Sequence, residues 1–303
     1  MRAGPVEATV IIKTFAPKGE RQKFKLAAEQ YVLVMPIGDV HFGSKGWPEQ
    51  KFKDHISWGL DRGAYFLGMG EFLDLASDTQ RKLMSQLRDS ARDELDDLLR
   101  EQADNLTYLL RGTAGRWVGV LEGDHRWDFM AAGAGDPKSV DQYICQALRA
   151  DFLGTSAVIR VTPNIAGHPE ADTLILAHHG IGSSRLSGGQ LHRVEDLLKF
   201  FEADVYLMGH SHSKVSAPVD RQYLTPDGVH YHRTKILART GGWMRGYLSG
   251  GVWGLNEPAY ESRATYVEHM ALPPAAMGGL CFGIGAERIE GSDYYRPTLH
   301  YSA

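Results

Sequence analysis

Short apolar runs, each closed by glycine and a small polar cluster, set the rhythm of this chain. The runs Thr9–Ile12, Tyr31–Ile37, Ala64–Gly68, Trp117–Leu121, Val158–Val161, Thr173–Ala177 and Asp204–Met208 read as strands. His230–Ala238 and Cys281–Ile284 add strands near the end. Between them, Thr79–Leu110 carries Leu83, Leu87, Leu95, Leu98, Leu99, Leu106, Leu109 and Leu110 partly at helical spacing. Val140–Phe152 and Gln190–Glu202 also read as helices. Strands alternating with helices, followed by a β-rich end, predict a layered α/β sandwich.

The polar clusters that end five of the strands are the candidate chemistry. They are GDVH at Gly38–His41, GEFLD at Gly70–Asp74, EGDH at Glu122–His125, HHG at His178–Gly180 and GHSH at Gly209–His212. Loops at the carboxyl edge of a sheet line one crevice, so these side chains are expected to converge. Carboxylates and imidazoles together suit divalent manganese, iron, zinc or nickel. A single Asp-x-His or His-x-His is more often an ordinary polar pair than a ligand pair. His230-Tyr231-His232 has the same spacing inside a strand, without a glycine turn, and reads as structural.

Composition narrows the classes. The 303 residues are 43% hydrophobic and 23% charged, which is ordinary for a globular protein and sufficient for one large domain. No repeat or low-complexity linker divides the chain, so a single domain over residues 1–303 is expected, with residues 79–112 as a helical cap or packing segment. The net charge of -4 gives no basic field for nucleic acid. Cys145 and Cys281 are too far apart to suggest a zinc knuckle and read as buried thiols of a reducing compartment. The N-terminus reads as a strand and turn, not a signal peptide, and no apolar run reaches the ~20 residues of a membrane span. A cytoplasmic location is expected. There is no phosphate loop of the Gly-x-x-x-x-Gly-Lys-Ser/Thr type and no Gly-x-Ser-x-Gly elbow.

The five clusters, in this order, resemble the calcineurin-like metallophosphoesterase superfamily, with the flavour of its phage and prophage members. The resemblance spans Asp39 to His212; TGGWMRGY at Thr240–Tyr247 is a weaker echo. It implies a four-layer α-β-β-α sandwich with two mixed sheets. It implies two divalent cations, manganese by first choice and zinc, iron or nickel as alternatives. Asp39, His41 and His212 would hold one ion, Glu71 would bridge, and Asp124, His178 and His210 would hold the second. In the HHG cluster His178 is preferred over His179. His125 would act as general acid, with Asp74 hydrogen-bonded to it to hold its ring. A hydroxide held between the ions would attack phosphorus, and histidine suits the acid because its unperturbed pKa of ~6.5 lies near working pH.

Two positions depart from the family pattern: Glu71 stands for the usual bridging aspartate, and Asp124 for the usual asparagine. The longer Glu71 would advance its carboxylate by more than ~1 Å unless the chain adjusts. Asp124 adds a third formal negative charge to Asp39 and Glu71. Arg126, where an acidic residue often follows the histidine, reads as a solvated loop charge. The expected activity is hydrolysis of a phosphodiester of the nucleic-acid or nucleotide class. The alternatives are a phosphomonoesterase and a catalytically weak metal-binding scaffold. The substrate is a phosphate ester, DNA or nucleotide among the candidates; no membrane partner is expected, and a homodimer is compatible. Arg185, His192, Arg193, Lys214 and Arg221 could meet phosphates, although each is more simply a surface residue.

Overall fold

The computed structural model describes residues 6–14, 20–28, 31–44, 46–75, 82, 87–129, 133, 135–163, 171–182, 184, 186–199, 201–247, 266–269, 271 and 273–302. The start of the expected long helix, residues 79–86 apart from Lys82 and so including Leu83, lies outside the described residues, as does Arg185. In chain order the strands and longer helices are β1 (Val6–Thr14), β2 (Glu20–Ala28), β3 (Val32–Ile37), α1 (Glu49–Asp61), β4 (Tyr65–Gly68) and α2 (Asp89–Leu110). Then come β5 (Trp117–Leu121), α3 (Val140–Leu148), β6 (Phe152–Gly154), β7 (Ser156–Pro163), β8 (Thr173–His178) and α4 (Ser187–Glu195). The chain continues through β9 (Val205–Met208), β10 (Lys214–Leu224), β11 (His230–Thr240), β12 (Cys281–Arg288) and β13 (Tyr295–Ser302).

Two mixed sheets form the middle layers. One has the order β13-β12-β3-β4-β5-β6 and the other β10-β11-β9-β8-β7-β1-β2. In the first, β3, β4, β5 and β6 run parallel, while β12 joins β3 antiparallel. In the second, β8, β9 and β11 run parallel and β7 pairs antiparallel with β8. Alternation along each strand divides the side chains between two faces. Val34, Leu67 and Val118 from the first sheet meet Ile159, Ile175, Ala177, Val205 and Leu207 from the second in a core between the sheets. The outer face of the first sheet, with Met35, Phe66 and Trp117, is covered by α1, α2 and α3 through Phe52, Leu106 and Ile144. The outer face of the second, with Leu176, Tyr206 and Met208, packs on α4 through Val194. The result is the α-β-β-α sandwich expected above.

The helices differ from their expected bounds for local reasons. The helix expected at Val140–Phe152 ends at Leu148, because Arg149 turns left-handed at φ 54°. Phe152–Gly154 then pairs with β5 as an edge strand. The helix expected at Gln190–Glu202 lies further back, and its second half is a 3-10 turn at Asp196–Lys199. Helix α2 is a packing element: Leu99, Ala103, Leu106 and Leu110 are buried against the sheet, and the acidic stretch Asp93–Asp97 is mostly turned outward, Asp96 excepted. Asp96 accepts a hydrogen bond from the buried Trp127 indole, tying α2 to the chain just after β5.

This packing makes α2 testable as part of the core. Leu106→Ala should destabilise the protein by about 2–5 kcal/mol, against less than about 0.5 kcal/mol for the half-exposed Leu98→Ala, in urea unfolding. Equal small effects would show that α2 is a detachable cap.

Candidate metal centre

The five clusters meet at one edge of the sandwich, each at the carboxyl end of its strand. Asp39 and His41 follow β3, Glu71 and Asp74 follow β4, Asp124 and His125 follow β5, His179 follows β8, and His210 and His212 follow β9. Two groups of possible ligand atoms form there. Asp39, His41, Glu71 and His212 make one; Glu71, Asp124, His179 and His210 make the other. Within each group the donor atoms lie within 4.8 Å of one another, and Glu71 belongs to both. These His, Asp and Glu groups, buried except for exposed Asp124 and half-buried His210 and His212, could hold a metal ion.

The backbone is bent to achieve this. Asp39, His41, Glu71, His210 and His212 all have φ between 47° and 67°, the left-handed region that non-glycine residues seldom occupy. Such strain gathers where surrounding structure enforces a function. Enforcement here is a set of backbone bonds between adjacent turns: Val40 and His41 N–H donate to Glu71 O at 2.8 and 3.1 Å, and Gly209 N–H donates to His179 O at 2.7 Å. Glycine supplies the close approaches. A Cβ on Gly70 (φ 92°) would lie 2.7 Å from His179 Nδ1, and one on Gly123 would lie 2.7 Å from Glu71 Cγ. The missing side chain of Gly123 thus makes room for the additional methylene of Glu71.

Hydrogen bonds orient the rings. His179 Nδ1–H donates to Met69 O at 2.7 Å, leaving Nε2 to face Asp124 Oδ1 at 2.8 Å and Glu71 Oε1 at 3.5 Å. His41 Nδ1–H donates to Asp74 Oδ1 at 3.1 Å, and its Nε2 faces Glu71 Oε2 at 3.1 Å and His212 Nε2 at 3.2 Å. A histidine ligand held from its other nitrogen by a carboxylate or carbonyl is the usual supporting arrangement at metal sites. His210 Nδ1 lies 2.9 Å from Asp124 Oδ1. The carboxylate atom Asp39 Oδ2 is buried without a hydrogen-bond partner, and the donor set is oxygen and imidazole nitrogen; both features fit a divalent cation.

The electrostatics are those of a crowded anionic site. Burial and the neighbouring Glu71 push Asp39 up to about 8. Burial opposes charge on Glu71, but hydrogen bonds from His179 and His41 outweigh it and hold the carboxyl well below its ordinary range. Burial likewise opposes protonation of His41 and His179; hydrogen bonds to Asp74 and Glu71 raise the first to about 10, and those to Asp124 and Glu71 raise the second to about 11. His212 is driven down to about 3 by burial and by the adjacent His41.

Two expectations need correction. His178 is in neither group; its Nδ1 accepts from Gly180 N–H at 2.8 Å, and His179 takes the expected place. The reason is parity: Ile175 and Ala177 of β8 face the inter-sheet core, so His178 falls on the outer face and His179 returns to the inner one. Asp74 bonds His41, where a bond to His125 was expected. The turns after β3 and β4 continue side by side, with Asp74 N–H donating to Phe42 O at 3.0 Å, and this carries Asp74 to His41. His125 stands outside both groups, partly exposed, its Nδ1 3.6 Å from Glu71 Oε1.

Asp141 and Arg239 support the site without an obvious mark in the sequence. Asp141, fully buried in the first turn of α3, accepts a hydrogen bond from the backbone of Gly123; burial and Glu122 raise it to about 7. Arg239 is buried and donates Nη1–H to Gly209 O at 2.8 Å, beneath the last histidine turn. Trp243 N–H donates to Asp39 O at 2.9 Å, which places the GGW segment after β11 across the centre. Arg126 pairs with Glu122 at 3.4 Å, and His192 and Arg193 lie on the exposed face of α4 near Asp196. His230 and His232 pack edge to face on β11, their rings 5.5 Å apart, in neither ligand group. No protein-family model matches the chain, and none of the curated proteins matches it in sequence.

Ligation should depend on pH in a definite direction. Below about 10, His41 and His179 carry protons that a cation must displace, so apparent metal affinity should rise with pH and binding should release protons. Calorimetry in buffers of differing ionisation enthalpy reads this directly; affinity that falls as pH rises from 6 to about 9 would contradict the assignment. Asp74→Asn should weaken metal binding about 10–100-fold. His179→Ala should cost at least as much, while His178→Ala should leave affinity near wild type.

Proposed function

We propose that this protein is a dinuclear metal-dependent phosphoesterase of the calcineurin-like kind, hydrolysing a phosphodiester of the nucleic-acid or nucleotide class. The observation that carries the reading is Glu71, shared by two four-residue groups of carboxylate and imidazole donors at the carboxyl edge of two facing sheets. Asp39, His41 and His212 would hold one divalent ion and Asp124, His179 and His210 the other, with Glu71 between them. Manganese is the first choice from the donor chemistry, and zinc, iron and nickel remain compatible. A bound pair of cations would supply hydroxide near neutral pH and neutralise charge on phosphoryl oxygens.

The chain's own residues then have distinct duties. His125 borders the centre without joining it and retains solvent access, so its ring can give a proton to the departing ester oxygen. Asp74 and the Met69 carbonyl keep His41 and His179 in the tautomers that present Nε2 inward. No described helix is long and apolar enough to cross a membrane. One observation favours the weaker reading of a metal-binding scaffold: His125 lacks the bond from Asp74 that would fix its ring.

Hydrolysis of bis(4-nitrophenyl) phosphate with added manganese separates the readings. Chelator should abolish turnover, and His125→Ala should lower kcat by about 10²–10⁴-fold with metal content unchanged. Metal-loaded wild type that is no faster than His125→Ala would leave the scaffold reading standing. Comparison with 4-nitrophenyl phosphate decides between diester and monoester.

A further inference from the structure

We infer that a second ligand site lies behind the metal centre, in the cleft between α1 and the chain at residues 277–281, and that it takes a nucleoside monophosphate-like molecule: an anionic head carrying a planar ring. The inference is independent of the esterase reading. The cleft measures about 420 Å³ and has Lys51, His55 and Trp58 on one wall, with Lys214 and Trp243 among the residues that close it. That is within the range of about 300–1,000 Å³ common for small-molecule pockets.

The helix wall is not a packing seam. Phe52, Ile56 and Gly59 are the buried face of α1. Lys51, Asp54, His55 and Trp58 follow the spacing i, i+3, i+4, i+7, one stripe along the helix, and are polar or aromatic. Such a stripe facing a cleft offers recognition groups where core packing would require aliphatic ones. On the opposite wall the chain passes as Gly278-Gly279, and a Cβ at Gly279 would stand 2.9 Å from His55 Nε2. Glycine therefore keeps backbone close to the imidazole.

The charges are available for an anion. Lys51 and Lys214 have no carboxylate within ion-pair distance among the described residues, whereas Asp54 already accepts from Gln50 Nε2 at 2.8 Å. His55 Nε2 is buried without a hydrogen-bond partner. Burial, with Lys214 and Lys51 nearby, holds this imidazole down at about 4, so near neutral pH it is an uncharged donor or acceptor in a cleft that both lysines also line. Two lysines and an imidazole suit a phosphate. Trp58, 39% exposed with Arg62 stacked 4.3 Å from its centroid, offers ring surface for a base. The cleft and the metal centre share a wall: Trp243 contacts His55 with ring centroids 5.0 Å apart, and its backbone N–H holds Asp39 O.

The test is calorimetric titration of the full chain, manganese-loaded and metal-free in parallel so that phosphate held by the ions is separated from binding in the cleft, with AMP, inorganic phosphate and adenosine in separate runs. AMP should bind about tenfold or more tighter than either fragment, and Lys51→Ala/Lys214→Ala should weaken AMP about tenfold or more. Circular dichroism and metal content of the double variant should match wild type. AMP affinity that survives the double substitution, or that equals the affinity for phosphate alone, overturns the proposal. Turnover of the nitrophenyl diester is measured on the same variant, so failure of the cleft and failure of the esterase reading are told apart.

Discussion

The structure turns on one electrostatic problem: three carboxylates, Asp39, Glu71 and Asp124, gathered with four histidines at the edge of two sheets. Two unit charges 4.8 Å apart repel by about 3–4 kcal/mol at an effective dielectric of about 20, so the cluster requires positive charge. Hydrogen bonds to Asp74, Asp124 and Glu71 favour protonated His41 and His179, which would supply part of it. The unpartnered Asp39 Oδ2, beside Glu71, marks where a cation would supply the rest. The surrounding fold keeps this charge together: helices cover part of each outer sheet face, the apolar core fills the space between sheets, and the strand-end edge carries the candidate ligands.

That arrangement carries a backbone cost. Five of the candidate ligands sit in left-handed conformation, each costing about 1 kcal/mol or more, although aspartate and histidine bear it better than most side chains. Against a typical stability of about 5–15 kcal/mol, this is a sizeable investment in the site. Parallel strand ends, backbone bonds between adjacent turns and the gap at Gly123 hold it in place. The same arrangement gives the departure at Glu71 its physical setting. A longer carboxylate reaches the shared position because the neighbouring turn has no side chain to obstruct it.

Much of the fold was legible because apolar runs were short, regular and punctuated by glycine. Elements that lacked such contrast were missed. Helix α1 buries only Phe52, Ile56 and Gly59, too thin a stripe to stand out in EQKFKDHISWGLD. Strand β10 is largely half-exposed and polar, and it forms because β11 lies beside it. The choice between His178 and His179 could not be read from β8, since Thr-Leu-Ile-Leu-Ala is apolar at every second position and at the positions between. Asp141 and Arg239 act through contacts with backbone far away in sequence, and nothing local distinguishes them.

By itself the sequence determined which residue types gather at strand ends and in what order, because glycine turns and ligand chemistry are local properties of the chain. It also determined the alternation of strands and helices that makes a layered sandwich. Tertiary structure decided which atoms meet. It paired Asp74 with His41, turned His179 inward by strand parity, and made Glu71 common to both ligand groups. It also opened a cleft, lined by Lys51, His55 and Trp58, on the far side of the GGW segment. Those outcomes depend on how separate strand ends align, and a distance between residues far apart in sequence has no local signature.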